Sequence, residues 1–387
     1  MPPQALPWAL IGSACLAMFA ISASGTTRAP FLLEMARDLS TSLALTANLM
    51  AINAVTWGVA SLLVGPVSDR IGRRPFLLGA PLLLGLSSVG IAGAQTFPGV
   101  AAWVAVAGAA AGAISTAVVT EVSSRVEDRQ RGRALGWALS GQSLALLLGV
   151  PLAAWVGAAI GWRGVNLCVA AVALAAGLTL LLATRRPVAA RGRGQPSTTD
   201  YRAAMSPRVL RLLATGVTER SCYALAVTFF ATFLQSAYGL SLAGLALPLA
   251  VFALGNILGT LLGGQLADRL PNRLLTYAGA MLAAAGIALP LFLWHGSLVA
   301  SVVLGFGFVL AISVARPCLM AALSNVPEEV RGTVLGLNVT SASMGWLGAT
   351  ALGGLAMAEF GFAGLAPMAA VLSAAGAWLA LSAARRG

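Results

Sequence analysis

The chain has 387 residues, of which 58% are hydrophobic and only 9% are charged. A soluble domain of ordinary composition has about a quarter of its residues charged, so this chain cannot cover its surface with polar groups and its solvent must be largely lipid. The net charge is +12, and all 24 basic residues are arginines. No basic helix or interleaved aromatic patch accompanies that charge, so we expect no nucleic-acid binding and interpret the arginines as orientation signals.

Apolar runs of about 20 residues follow one another along the chain, and that length is typical of membrane-spanning helices. Strands of a β-barrel would instead alternate polar and apolar residues over about ten positions. The sequence therefore predicts an all-α polytopic membrane protein with twelve transmembrane helices. The predicted spans lie near 7–30, 43–64, 76–95, 99–120, 134–157, 164–184, 209–235, 242–263, 274–293, 297–324, 333–357 and 362–383.

A stretch rich in Arg, Pro, Gly and Ser separates the first six spans from the last six. It predicts two six-helix bundles, 1–184 and 209–387, joined by an exposed linker at 185–208. If both termini are cytoplasmic, nearly all the arginines lie in inner segments and the outer loops hold little beyond Arg37 and Arg163. The opposite orientation would reverse this bias, so we expect a multi-pass protein of the inner (plasma) membrane with both termini cytoplasmic.

Two short motifs occur in both halves of the chain, separated by nearly the same interval. RGRALG (131–136) matches RGTVLG (331–336), and GPVSDRIGRR (65–74) matches GQLADRLPNR (264–273). Two separate matches at one spacing indicate that the chain consists of two bundles of like design. Parallel repeats of this kind are typical of secondary transporters, in which the substrate site is expected at mid-membrane.

The stretch GPVSDRIGRR resembles the signature loop G-x-x-x-D-R-x-G-R-R/K between helices 2 and 3 of the major facilitator superfamily. Its second copy has Pro271 and Asn272 where glycine and arginine would stand. The resemblance implies the fold of that superfamily, with pseudo-symmetric six-helix bundles, and transport by alternating access through an inner gate. The gating residues that it implies are Gly65, Asp69, Arg70, Gly72, Arg73, Asp268 and Arg269.

The charges of this gate need partners. We expect Asp69 to face the positive end of a neighbouring helix dipole, near Arg331. Exposed ion pairs contribute about 0–1 kcal/mol each, but a network can bias two states of similar energy. The alternative is that these charges only fix the topology. The predicted partners of Arg70 and Arg73 are Glu121, Glu127 and Asp128.

The segment GQSLALLLGVPLAAWVGAAIGWR (141–163) resembles the helix 5 pattern of the drug:proton antiporter and sugar-efflux branch of that superfamily. Gly149, Pro151 and Gly157 carry this likeness, although small residues also let membrane helices pack closely. In span 4, Trp103 and Val104 stand where the branch commonly has an arginine linked to proton coupling. The resemblance therefore does not supply the usual coupling residue.

Ionisable residues deep inside a span are costly and often mark functional sites. Glu219 and Arg220 lie in span 7, and Arg316 lies in span 10. Because adjacent helical residues point about 100° apart, we expect Glu219 to pair with Arg316 and not with Arg220. Glu219 is the predicted proton carrier, and a permanent structural pair with Arg316 is the alternative.

Arg28 lies near the outer end of span 1. It either extends to the lipid headgroups or faces the cavity and attracts anions. Neutral polar residues inside other spans are further candidates for the cavity wall, with simple packing as the alternative for each. They are Asn53, Trp57, Thr116, Tyr223 and Asn256.

These features predict a secondary transporter that exports a drug-like or small metabolite substrate in exchange for protons. The alternative is a carrier of small organic or inorganic anions, suggested by Arg28, Arg220 and Arg316. We do not expect an enzyme, because the one histidine, His295, has no acid nearby in sequence and no nucleotide-binding loop occurs. The expected partners are a small molecule, the proton and the bilayer, with no cofactor or metal, and the expected state is a monomer.

Overall fold

The computed structural model describes residues 6–184, 206–294, 296–325 and 328–384, and within these ranges it does not describe the side chains at 66, 69, 128–129, 328–333 and 335–336. Most of the expected linker, 185–208, lies outside the described residues, as does His295. The predicted function of the linker as an exposed connection therefore stays a prediction.

The described residues form helices and turns, with no strand among them. This confirms the predicted all-α class. The helices, in chain order, are α1 (Trp8–Thr26), α2 (Leu32–Asp38), α3 (Leu43–Ile71), α4 (Arg74–Gly93), α5 (Phe97–Arg125), α6 (Asp128–Leu144), α7 (Val150–Ala183), α8 (Pro207–Tyr238), α9 (Ala246–Arg269), α10 (Arg273–Leu293), α11 (Leu298–Ser324), α12 (Glu328–Phe360) and α13 (Leu365–Ala384).

Nine helical stretches of the described chain are long and apolar enough to cross a membrane. Two of them, Gln130–Ala183 and Leu337–Ala384, contain 54 and 48 residues, which is length for two crossings each. The more polar helix α8 has 32 residues, or about 48 Å at 1.5 Å per residue. The nine stretches, the second crossing in each of the two long ones and α8 together provide the twelve predicted crossings.

Each of the two long stretches is interrupted at a glycine. Gly161, within α7, has a φ of 66°, and Gly361, between α12 and α13, has a φ of 63°. Glycine adopts this left-handed conformation without the steric cost that a Cβ imposes. The two glycines therefore mark the points at which one predicted span ends and the next begins.

The chain divides into two compact units. The first contains Met1–Ser40 and Ile52–Gly194, and the second contains Thr41–Ala51 and Gln195–Gly387. The assignment of Thr41–Ala51, the start of α3, to the second unit was not expected from the sequence. A close approach explains it, because a methyl group at Gly354 of α12 would lie 3.2 Å from the carbonyl oxygen of Ala44.

Large apolar side chains cover the outer faces of the described helices. Leu247, Val299 and Phe360 are each more than 70% exposed. On a soluble protein such surfaces would drive aggregation, whereas hydrocarbon solvates them well. The exposed apolar faces therefore fit a chain that is surrounded by lipid.

In the first unit, a polar contact joins α2 to the break at Gly161. One carboxylate oxygen of Asp38 (Oδ2) accepts hydrogen bonds from Trp162 Nε1 at 2.8 Å and from Arg163 Nη1 at 2.7 Å. The Trp162 side chain is 1% exposed, and the Arg163 guanidinium lies 4.2 Å from its ring centroid. This contact gives the Trp-Arg end of the helix 5 segment a structural function.

We predict that Asp38→Ala lowers the free energy of unfolding by about 1–3 kcal/mol, because it leaves the buried Trp162 N–H without an acceptor. Thermal unfolding of the detergent-purified protein measures this change. The matched control is Arg37→Ala, which removes an exposed neighbouring charge and should change stability by less than about 0.5 kcal/mol. Equal effects of the two substitutions would show that the contact with Trp162 contributes nothing.

Candidate functional site

The signature stretch GPVSDRIGRRP forms the connection between α3 and α4. Helix α3 ends at Ile71 and α4 begins at Arg74, and Gly72 between them has a φ of 90°. Because glycine alone adopts this conformation without strain, Gly72 allows the tight reversal from one helix to the next. It thereby brings Arg73 next to the C-terminal end of α5.

Arg73 pairs with Glu121 of α5, as the sequence suggested. Its Nη1 lies 3.8 Å from Glu121 Oε2 and donates to Ser124 Oγ at 2.9 Å. Arg125 holds the other side of the same carboxylate, with Nε donating to Glu121 Oε1 at 2.6 Å. Two arginines therefore fix Glu121 near the C-terminal end of α5.

Arg70 does not pair with Glu121, contrary to expectation. Its alternative pairing with Glu127 or Asp128 stays a prediction, because the Asp128 side chain lies outside the described part of the chain. The Arg70 side chain is exposed, and Arg73 and Arg125 occupy the Glu121 carboxylate. Gly65 lies one to two turns earlier on α3. The side chains of Asp69 and Arg331 lie outside the described part of the chain, so their expected pairing stays a prediction.

The second copy of the motif borders a cavity of about 450 Å³ where α9 ends and α10 begins, in the second unit. Asp268 and Arg269 are exposed at the end of α9, and Arg273 Nε donates to the Ala267 carbonyl at 3.0 Å. Arg208, at the start of α8, completes a largely basic rim. The two copies thus place charge at the same kind of position, where two helices meet.

Helix α8 holds a buried ion pair that differs from the predicted one. Arg220 Nε lies 3.0 Å from Glu219 Oε2, whereas we expected Glu219 to pair with Arg316. The prediction failed because it compared only the directions in which adjacent residues leave the helix. The Arg220 side chain is long enough to turn back onto its neighbour.

The pair is mostly enclosed by protein. Glu219 is 2% exposed, and the Arg220 side chain is 12% exposed. Arg316 of α11 is exposed and lies within electrostatic range, where the like charge of Arg220 opposes it and Glu219 attracts it. Within this cluster of described residues, Arg220 is paired with Glu219, whereas the exposed Arg316 is available to interact with a ligand.

Two aromatic rings extend the cluster. Arg220 Cζ lies 5.6 Å from the centroid of the Tyr223 ring, within the range of a cation–π contact. Tyr223 in turn meets Trp346 of α12 edge-to-face, with ring centroids 6.2 Å apart. Charge, aromatic surface and a phenolic hydroxyl thus lie side by side.

Sequence reasoning missed Trp346, although a signal for it existed. Gly345, beside it, lets α12 approach α8, because a methyl group there would lie 2.6 Å from Arg220 Cβ. Ser221 Oγ donates to the Gly345 carbonyl at 3.1 Å across the same contact. A Gly-Trp pair in the middle of a span marks both a close helix crossing and an aromatic side chain beside it.

The neutral candidates have different surroundings. Trp57 Nε1 donates to Ser115 Oγ at 3.2 Å, Thr116 Oγ1 to the Ser61 carbonyl at 3.5 Å, and Asn256 Nδ2 to Ser313 Oγ at 2.8 Å. These three join helices within one unit and fit the packing alternative. Asn53 differs, because its Oδ1 is buried without a hydrogen-bond partner among the described residues.

Arg28 does not extend to the headgroups. It is 2% exposed and ranks among the largest fully buried side chains of the described chain. None of its three guanidinium nitrogens has a hydrogen-bond partner among the described residues. The headgroup interpretation is therefore wrong, and Arg28 is a cation enclosed by protein.

The helix 5 motif produces a local widening of the helix. Ala145–Gly149 forms a π-helical turn, closed by the Val150 N–H donating to the Ala145 carbonyl. Pro151 follows at the start of α7, and a proline ring would collide with a carbonyl one turn earlier in a regular helix. The wider turn relieves that collision, and such turns often occur at functional sites.

Comparison with known proteins agrees with this geometry. The family model of the Major Facilitator Superfamily matches residues 14–350. The chain belongs to the major facilitator superfamily. Its helices therefore form a membrane transporter, and its signature loop is the one that the sequence suggested.

Several relatives of this superfamily member have descriptive names. A chloramphenicol resistance protein of Streptomyces lividans is 28% identical over 68% of this chain and 68% of its own length. The transcription regulatory protein OpdE of Pseudomonas aeruginosa is 27% identical over 69% of this chain and 67% of its own. The inner membrane transport protein YdhP of Escherichia coli K12 is 27% identical, over 64% and 62%.

A solved structure shares the fold of this superfamily member. It is a bacterial homologue of the human lysosomal transporter Spinster in an inward-facing, unoccupied conformation, with a TM-score of 0.78 at 16% identity. The match covers 99% of this chain and 96% of the other. At this identity the likeness establishes the fold alone.

We predict that Arg220→Met destabilises this transporter by about 3–5 kcal/mol, because the buried Glu219 carboxylate then lacks its counter-ion. Glu219→Gln combined with Arg220→Met should cost less than Arg220→Met alone. Arg208→Met, at the exposed start of the same helix, is the control. Chemical unfolding in detergent measures the cycle, and strictly additive effects would contradict the pairing.

Proposed function

We propose that the protein is a secondary transporter that exports a drug-like or small metabolite substrate in exchange for protons, by alternating access. The observation that carries this proposal is the buried Glu219 of α8, in contact with Arg220. The names of two relatives, a drug resistance protein and an inner membrane transport protein, support the choice of substrate class and direction.

Proton coupling needs a group that changes charge inside the protein. Glu219 can accept a proton at Oε2, which now lies 3.0 Å from Arg220 Nε in an ion pair. Protonation would remove the attraction and free the Arg220 guanidinium, because a neutral carboxyl no longer balances it. Gain or loss of one proton thus changes the net charge of the cluster by one unit. Substrate binding can depend on that change.

The aromatic neighbours suit an amphipathic substrate. Tyr223 and Trp346 supply large apolar surfaces with a hydroxyl at one edge, and Arg316 supplies an exposed charge nearby. Binding sites for small molecules typically combine such apolar walls with a few polar groups that fix orientation. This combination supports a small organic molecule over an inorganic ion.

The inner charge cluster serves as the gate in this proposal. Arg73 and Arg125 fix Glu121 in the first unit, and the signature residues Gly65, Asp69 and Arg70 continue it. Asp69 with Arg331, and the second copy at Asp268 and Arg269, would complete a network whose making and breaking accompanies transport. Each surface pair is weak, so the network can alternate between two states.

The remaining parts of the proposal concern the setting. The arginine distribution supports a protein of the inner (plasma) membrane with both termini on the cytoplasmic side. The transporter acts as a monomer in this proposal. One bundle extends over 1–184 and the other over 209–387, with the segment 185–208 as a cytoplasmic linker. Neither a cofactor nor a metal takes part in transport.

The experiment is transport by purified protein in liposomes with an imposed pH gradient. The probes are labelled chloramphenicol and a fluorescent dye. We predict that Glu219→Gln abolishes the stimulation by the gradient but keeps downhill movement of the probe, because the substrate contacts remain while the proton site is lost. Glu359→Gln, which changes an exposed acid of α12, is the matched control and should behave like the wild type.

A Glu219→Gln variant that still responds fully to the pH gradient would overturn the assignment of Glu219. Loss of both downhill and gradient-driven movement would instead indicate a damaged protein, which the thermal unfolding temperature would reveal. The wild type must move at least one probe faster under the gradient for proton-coupled export to stand.

A further inference from the structure

Arg28 carries a buried positive charge that no hydrogen bond compensates among the described residues. Its side chain is 2% exposed, and Nε, Nη1 and Nη2 all lack a hydrogen-bond partner among the described residues. A buried guanidinium is normally paired, because its desolvation costs several kcal/mol. A cation that the protein itself leaves unpaired is suited to a partner that arrives from outside.

Two further polar groups lie beside Arg28. Thr27 and Arg28 keep right-handed helical dihedral angles beyond the end of α1, so Arg28 lies over the turn that contains Ser24 and Gly25. Ser24 Oγ is buried and also lacks a partner among the described side chains and backbone. The guanidinium of Arg28, just beyond α1, and the hydroxyl of Ser24, in its last turn, therefore lie on the same side of the helix.

Asn53 of α3 reaches the same turn from the neighbouring helix. A methyl group at Gly25 would lie 3.3 Å from Asn53 Nδ2, so the Asn53 carboxamide lies directly against α1. Asn53 is 6% exposed, and its Oδ1 has no partner in the described structure. Among the described residues, Arg28 and Ser24 therefore carry unmet donors one helical turn apart. Asn53 Nδ2 lies against Gly25, next to Ser24, while Asn53 Oδ1 is an unmet acceptor.

We infer that Arg28, Ser24 and Asn53 form a binding site for the oxyanion group of the transported molecule. The site takes a carboxylate or a phosphonate on an apolar body. This inference rests on the proposed function, because the ligand of this site is the transported substrate. A guanidinium binds two oxygens of such a group at once, while the Ser24 hydroxyl and the Asn53 Nδ2 amide can donate to it; Asn53 Oδ1 is an acceptor and takes no part in binding the oxyanion.

Apolar residues adjoin the charge along the chain. Ala29, Pro30, Phe31 and Leu32 follow Arg28 directly and are all buried. The residues around the guanidinium therefore exclude water, which strengthens its attraction for an anion.

An unpaired cation of this kind has a consequence for stability that a structural arginine does not. Removing the charge relieves the cost of burying it, so Arg28→Gln should raise the unfolding temperature of the ligand-free protein. A structural arginine that anchors α1 would do the opposite. The sign of this shift separates the two roles without any ligand.

The test combines unfolding temperature with binding at one pH, in the full-length protein purified in detergent. The probes are benzoate and phenylphosphonate, with benzamide as the neutral match for benzoate. We expect the wild type to bind the two anions about tenfold more tightly than benzamide, and Arg28→Gln to lose that difference. Arg28→Lys should keep part of it, and Arg37→Gln, an exposed arginine nearby, should keep all of it.

Anion preference that survives in Arg28→Gln overturns the inference, as does a wild type that prefers none of the three probes or a ligand-free Arg28→Gln that unfolds at a lower temperature. The measurement uses no pH gradient, so it is independent of proton coupling at Glu219. If Glu219→Gln fails to uncouple transport while the preference at Arg28 holds, only the proposed coupling is wrong. The converse result would remove only the anion site.

Discussion

The hydrocarbon core of a bilayer cannot hydrogen-bond to a protein, and this constraint governs the structure. Backbone polar groups must be satisfied within helices, which explains why helices and turns make up the described chain. Charged side chains must be paired, enclosed or placed at the membrane surface. With only 9% of its residues charged, this transporter has few such groups, so the position of each one carries information.

The interior charges meet this constraint in two different ways. Glu219 and Arg220 form a close pair beside aromatic rings on α8 and α12, so most of their charge is balanced inside the second unit. Arg28 in the first unit is enclosed without a partner among the described residues. A balanced pair can be switched by one proton, whereas an unbalanced cation favours an anionic ligand. The two sites therefore suit different steps of transport.

Much of the fold could be predicted from the sequence, because apolar length, arginine distribution and the repeated loop are one-dimensional signals. The breaks at Gly161 and Gly361 agree with predicted span ends. The contacts were harder to predict. The direction in which Glu219 and Arg220 leave the helix did not reveal how far the arginine side chain bends back. The enclosure of Arg28 depends on neighbouring helices, which the local sequence does not specify.

Close helix crossings explain the other differences. Trp346 reaches Tyr223 only because Gly345 allows α12 to touch α8, and the start of α3 belongs to the second unit because Gly354 allows contact with Ala44. Small residues inside apolar runs are common in membrane helices, so their partners cannot be identified by pattern alone. The signature loop at residues 65–75 was recognisable because charge is rare in this chain.

The most direct test of ion-coupled transport is proton movement by the wild-type protein itself. Liposomes that contain the purified protein and a pH-sensitive dye are given a gradient of a probe that the wild type transports, without ATP or any imposed pH difference. We predict that protons move opposite to the substrate, so the internal pH falls when the substrate leaves the liposomes and rises when it enters. Protein-free liposomes should show no change. Carrier-mediated substrate movement with no accompanying change in internal pH would contradict proton-coupled exchange.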